Sequence, residues 1–277
     1  MRSTGTASLR PARLFASAAL VAAVAAVVAG CQTTQSADTT GTLPIAEVDR
    51  PAAVVQRDVD VLGQQYRADP SNVAVALRYA EALRAKGQRA QAVAVLEKAS
   101  IERPHDKTLL GAYGRALAEA GDYNQALAVL DRAHTPDQPD WRILSAQGAV
   151  LDQMGRHADA QRHYLTALKI VPNEPSVLSN LGLSYALSKN LPKAEATLRQ
   201  AVAQHPVDPR VRQNLALVVG LEGRFAEAET IASAELPPAE AAANVAYLRR
   251  MLAQRKDLRE KDAHDAKRAA REARGSS

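Results

Sequence analysis

WRILSAQGAVLDQMGRHADAQRHYLTALKIVPNE (residues 141–174) runs directly into PSVLSNLGLSYALSKNLPKAEATLRQAVAQHPVD (residues 175–208). Laid one over the other, these 34-residue strings put Gly148 over Gly182, Ala160 over Ala194, Tyr164 over Leu198 and Pro172 over Pro206. The frame extends both ways. Ala92, Ala126, Ala160, Ala194 and Ala228 recur at every interval of 34, and Ala80, Gly114, Gly148, Gly182 and Ala216 form a second small-residue column. Gly87, Gly121, Gly155 and Gly223 form a third, broken only by Lys189. Self-similarity at a fixed period of this size marks a stacked array, in which each unit hides its apolar face against the next.

Each column has a physical reason. Two antiparallel helices approach closely only where small side chains meet, which predicts the Ala or Gly of a first helix facing the Ala of a second. The third column falls where the first helix ends and the chain reverses, a left-handed conformation that glycine adopts without steric cost. Where Lys189 breaks it, Asn190 is the residue expected to supply that conformation. Pro104, Pro172 and Pro206 stop the second helices at one phase, and Pro136 with Pro139 does so nearby. Leu83, Leu117, Leu151, Tyr185 and Val219 fill one large apolar column, and Leu96, Leu130, Tyr164 and Leu198 another.

This pattern resembles the tetratricopeptide repeat, over five units at residues 73–106, 107–140, 141–174, 175–208 and 209–242. The resemblance implies an all-α fold, a right-handed superhelix of helix pairs. In the last unit Ala232 and Glu235 stand where core residues are expected and Pro237-Pro238 cuts the second helix short. An array needs capped ends. Residues 51–72, with Val55, Val59, Leu62 and Tyr66 at helical spacing, predict an N-terminal capping helix. Residues 243–277 begin with the stripe Val245, Leu248, Met251 and Leu252, which predicts a closing helix, and continue as a charged tail.

Composition agrees with helices: 57 of 277 residues are alanine and only 4% are aromatic, against the β-branched and aromatic demand of an all-β fold. A single cysteine excludes a disulfide framework. That cysteine follows a leader. Arg2, Arg10 and Arg13 precede an apolar run from Leu14 to Val28, too short for a convincing membrane span. The run ends in Val28-Ala29-Gly30-Cys31, which resembles the lipobox of bacterial lipoproteins. The resemblance implies a signal peptide at residues 1–30, cleavage before Cys31 and lipidation of Cys31, so that the chain is anchored without spanning. Gln32, rather than Asp, implies sorting to the outer membrane, facing the periplasm. Residues 31–50 are polar with Gly41 and Pro44, a tether whose reach is roughly 20 to 25 Å.

Chemistry is hard to seat on this sequence. It holds no Gly-rich phosphate loop, zinc-binding His pair or nucleophile elbow, so neither an enzyme nor a cofactor is expected beyond the covalent lipid. His105, His134 and His205 fall near helix ends, and His157 and His163 are six apart, on different faces of a helix. No metal site is expected. The concave face of such an array, lined by first helices, is the expected binding surface for a partner protein. Its candidates are Arg78, Glu81, Arg115, Arg142, Ser145, Ser179, Asn180, Arg210 and Asn214. Asn180 and Asn214 share a repeat position, where an amide could pair with a peptide backbone; ordinary solvated groove residues are an equal account of both, and the leading account of the arginines. Leu77 and Glu81 stand where the carboxylate clamp of chaperone-binding repeats has Lys and Asn, so chaperone tails are not the expected partner. Leu183 and Leu217 give the later groove an apolar floor.

Lipobox, tether, repeats and the closing segment from Ala242 to Leu252 together resemble the TadD family of Tad/Flp pilus assembly lipoproteins. That resemblance implies a scaffold that binds a segment of the outer-membrane secretin or another assembly component of a type IVb pilus. The alternative is a lipoprotein regulator of a cell-wall synthase or hydrolase. The formal charge of +5 does not point to nucleic acid. Residues 1–30 contribute three positive charges and residues 249–277 a net of five, leaving residues 31–248 with 22 basic against 25 acidic groups.

Overall fold

The computed structural model describes residues 52–135, 137–204 and 208–275. The expected signal peptide, Cys31, the tether, Pro51, Pro136, His205 and Pro206 lie outside the described residues.

Helix α1 (Ala52–Ala68) precedes five helix pairs: α2 (Val73–Ala85) with α3 (Arg89–Glu102), α4 (Lys107–Ala120) with α5 (Tyr123–Asp131), and α6 (Trp141–Gln153) with α7 (His157–Ile170). Then come α8 (Pro175–Leu187) with α9 (Leu191–Val202), and α10 (Pro209–Leu221) with α11 (Phe225–Ala232). Helix α12 (Pro238–Gly275) ends the array. The described residues form an all-α solenoid in which each helix packs on its sequence neighbours.

The first helices share one start signal. Asn72, Asp106, Asp140, Glu174 and Asp208, spaced by 34, each accept a backbone N–H of the following helix in the side chain. Such caps satisfy N–H groups that the helix leaves unpaired and are worth about 1 kcal/mol each. The helices end at Gly87, Gly121, Gly155 and Gly223, all at positive φ. In the exceptional unit Lys189 itself takes the left-handed conformation, at φ 66°, which corrects the expectation for Asn190. Asn190 instead caps α9, its side chain accepting from the Lys193 N–H.

The small columns work as fitted seats. The five alanines of the second helices are completely buried. Opposite them, a Cβ on Gly114, Gly148 or Gly182 would lie 2.5–2.6 Å from Leu130, Tyr164 or Leu198, so the glycine receives the large side chain four residues beyond the column alanine. At the fifth unit Ala232 replaces that large residue and is itself buried, packed with Ala216 and Ala241. The room left is taken by α12. It starts at Pro238, inside the expected fifth unit, and lays Leu248 on Gly220, where a Cβ would come within 2.5 Å. Val245 and Leu248 are buried beneath it, which closes the C-terminal end. At the other end α1 buries Val59 and Leu62 and sets Tyr66 against Tyr79 at 5.5 Å between ring centres.

Candidate functional site

First helices of successive repeats bring their backbones close together, whereas second helices do not. The first helices therefore line the inner, concave side. Helix α8 carries no charged residue because it is packed on nearly every side: Val177 to Gly182, Ser184 and Ala186 are buried.

The inner face reads as rows with one residue from each first helix. One is Leu77, Gly111, Ser145, Ser179 and Gln213; the next is Arg78, Ala112, Ala146, Asn180 and Asn214; a third is Glu81, Arg115, Ala149, Leu183 and Leu217. The structure gives the amides partners inside the stack. Ser145, Ser179 and Asn180 are at most 6% exposed. Asn180 donates its Nδ2–H to Ser145 Oγ at 3.1 Å, and Asn214, partly buried, donates to Ser179 Oγ at 3.0 Å. These four side chains join one repeat to the next. A donor already paired and out of water has little left for a ligand.

The arginines divide. Arg210 is exposed but turns back on its own cap, with Nη2 3.1 Å from Asp208. Arg142 is exposed, its guanidinium 4.4 Å from the centre of the Trp141 ring. Arg78 and Glu81 are exposed on α2. Arg84, in the last turn of α2, holds Glu119 of α4 with two donors, Nε standing 2.6 Å from Oε2. Arg115 is partly buried and makes no hydrogen bond or ion pair among the described residues. Burial, then the charges of Arg84 and Arg142, lower its pKa to about 10 against the opposing pull of Glu119 and Asp140, so it remains protonated at neutral pH.

A second polar cluster escaped the sequence analysis. Asp152 of α6 is buried and accepts from Ser184 of α8 at 2.8 Å and from the Tyr164 hydroxyl of α7 at 3.1 Å, with His157 Nδ1 2.8 Å away. Burial pushes its carboxyl above the ordinary range, although the bonds from His157, Ser184 and Tyr164 pull it down. The signal was available: an acid directly after the uncharged, buried stretch from Ile143 to Leu151 must find internal donors. No nucleophile emerges, because the serine points at the acid rather than at an imidazole. His134 and His163 each bury an unpartnered Nδ1, and burial, with His134 nearby, holds the His163 imidazole below its usual pKa. Among the described residues no three His, Cys, Asp or Glu side chains gather as a metal site, and no helix is long and apolar enough to cross a membrane.

No curated protein sequence matches the chain. A tetratricopeptide repeat model matches residues 83–148 and 153–218. Among solved structures, PilW, titled a widely conserved type IV pilus biogenesis factor, is 18% identical with a TM-score of 0.59, over 69% of this chain and 90% of its own. A thermophilic repeat protein of Thermus thermophilus is 25% identical with a TM-score of 0.55, over 64% of this chain and 98% of its own. PilF of Pseudomonas aeruginosa is 18% identical with a TM-score of 0.50, over 66% and 81%. Family model, 34-residue frame and helix pairs agree: the chain carries tetratricopeptide repeats folded as an all-helical solenoid, the architecture of a scaffold for protein partners.

Proposed function

We infer that the protein is a non-enzymatic assembly scaffold that holds a segment of a partner protein in its concave groove. The observation that carries this is the division of the inner face: Ser145, Ser179 and Asn180 are closed into inter-repeat contacts, while Arg78, Arg142, Arg115 and Leu183 retain open surface. A concave surface with charged and apolar groups left open suits an extended or helical segment. Lipidation of Cys31 would place that groove at the periplasmic face of the outer membrane. The likeness of the leader, tether and closing segment to TadD lipoproteins, beside a fold shared with PilW and PilF, favours the secretin or another component of a Tad/Flp pilus as partner.

Deletion of the gene is expected to abolish heat-resistant secretin multimers and surface pili. Cys31→Ser is expected to abolish palmitate labelling and release the chain from the membrane fraction. Normal multimers in the deletion strain would overturn the pilus assignment, and crosslinking of the chain to a cell-wall synthase or hydrolase would replace it.

A further inference from the structure

At three joints between successive first helices a polar pair spans 35 residues: Arg84 with Glu119, Ser145 with Asn180, and Ser179 with Asn214. At the joint between α4 and α6 an apolar side chain sits close, with Ile143 Cδ1 only 2.7 Å from where a Cβ of Gly111 would stand. Thirty-five residues beyond Arg115 is Val150, buried and without an acceptor. The nearest carboxylates are engaged elsewhere. Both oxygens of Glu119 accept from Arg84, and Asp140 accepts the Arg142 N–H as the cap of α6. One turn back on α4, Gly111 leaves a space: an Nη of Arg115 lies 3.6 Å from the absent Cβ, so the guanidinium reclines along the groove floor. The result is a planar cation, partly out of water and without a hydrogen bond among the described residues, attracted by Glu119 and Asp140 and repelled by Arg84 and Arg142. A bound carboxylate would relieve both conditions through charge-assisted hydrogen bonds.

We propose that Arg115, assisted by Arg142, anchors an Asp or Glu side chain of the partner segment that runs through the groove. The proposal rests on the scaffold function inferred above. The carboxylate belongs to a side chain within a segment rather than to a chain terminus, because the first-helix surface continues past Arg115 on both sides, to Arg78 and Glu81 on α2 and to Leu183 on α8. Arg115 and Leu183 share a row two first helices apart. With neighbouring helix axes 8–10 Å apart, that separation is about 18 Å, and an extended chain crosses it in about five or six residues. The segment that fits carries an acid and, about that many residues away, an apolar side chain for Leu183.

The test is selection by the full chain in detergent from a library of random 12-residue segments displayed between constant linkers, beside a second library with free C-termini. Asp and Glu should be enriched at least about threefold by the native chain and return to the input frequency with Arg115→Gln. Arg115→Lys should keep part of the enrichment. For a selected peptide, replacing its acid by the amide and making Arg115→Gln should each weaken binding about tenfold, with little further loss when combined. Arg142→Gln, at an exposed position, gives a smaller loss in a variant whose fold is not at issue. If the native chain enriches no segment, groove binding itself fails. If it enriches segments whose acid content is the same with Arg115→Gln, or if the two tenfold losses are fully additive, groove binding stands and the anchor fails. Enrichment confined to free C-termini overturns the internal side chain.

Discussion

The two halves of the concave face follow one frame and are finished differently. From α6 to α10 the inner rows are closed by polar pairs: Ser145 with Asn180 and Asp152 with Ser184, both buried, and Ser179 with Asn214, partly buried. From α2 to α6 they carry charge, with Arg84 paired to Glu119, Arg78 and Arg142 exposed, and Arg115 without a hydrogen bond among the described residues. The difference arises from a handful of residues that the 34-residue frame leaves free. In one half they fix each repeat on the next; in the other Arg84 and Glu119 do so at one joint, and the remaining charges are left available to something outside the chain. Changes in the closed half should therefore read out as stability and changes in the charged half as binding.

Asp152 should break that division most severely if it is misplaced. In Asp152→Ala the Tyr164 hydroxyl, the Ser184 hydroxyl and the His157 ring lose their shared acceptor, two of them inside residues at most 1% exposed. At roughly 1 kcal/mol or more for each stranded donor, the loss is about 3 kcal/mol, measurable as a fall in the urea midpoint. Asp152→Asn separates charge from shape. Because burial raises the carboxyl pKa in the folded state, the folded chain holds this proton more tightly than the unfolded chain does. The stabilisation from that proton is complete below the unfolded value of about 3.9 and is lost as pH rises through the folded value. The stability of the native chain relative to Asp152→Asn should accordingly be greatest in acid and decline as pH rises through the range just above ordinary carboxylates. A flat difference across that range would show that the buried acid is not titrating with folding.

The amide pairs come next. Asn180→Ala removes the donor to Ser145 in a joint where both residues are buried, and should lower stability by about 1–2 kcal/mol. Asn214→Ala, at a half-exposed joint, should lower it by less than about 1 kcal/mol, since water can replace part of the bond. Neither should change the affinity for an acidic segment selected through Arg115. Weaker binding with unchanged thermal stability would return the amides to the ligand and erase the contrast between the halves.

The fold was readable because its columns are made of residue types with one job each: glycine at positive φ, alanine at a close approach, proline after a helix. What escaped did so for definite reasons. The joints Arg84–Glu119, Ser145–Asn180 and Ser179–Asn214 lie at a spacing of 35, one residue off the frame, because contact across repeats follows the offset between stacked helices rather than the repeat itself. Four residues that face the groove in the frame, Ser145, Ser179, Asn180 and Asn214, thus also pair across the stack. Asp152 escaped because its partners come from two other helices, and Lys189 because a positive φ of 66° in lysine is imposed by the surrounding turn, not by its own preference. Arg115 appeared in the sequence as one groove arginine among several. Only the geometry of its neighbours distinguishes it.

The helix caps supply the control. The acid column at residues 106, 140, 174 and 208 begins with Asn72, and its change of residue type along the chain hides it from a search for identical residues; physically it does one thing, capping each first helix. Caps belong to the frame rather than to either half, so Asp106→Ala in α4 and Asp208→Ala in α10 should each lower stability by about 1 kcal/mol and agree to within about 0.5 kcal/mol. Asp208 has a side-chain contact with Arg210 that Asp106 lacks, but that pair is exposed and adds only a few tenths of a kcal/mol. Equal losses in urea unfolding would confine the difference between the halves to the inner face. Clearly unequal ones would mean that the repeats differ in how firmly they are built, and the open charge of the first half would then be explained by a looser stack as well as by a ligand.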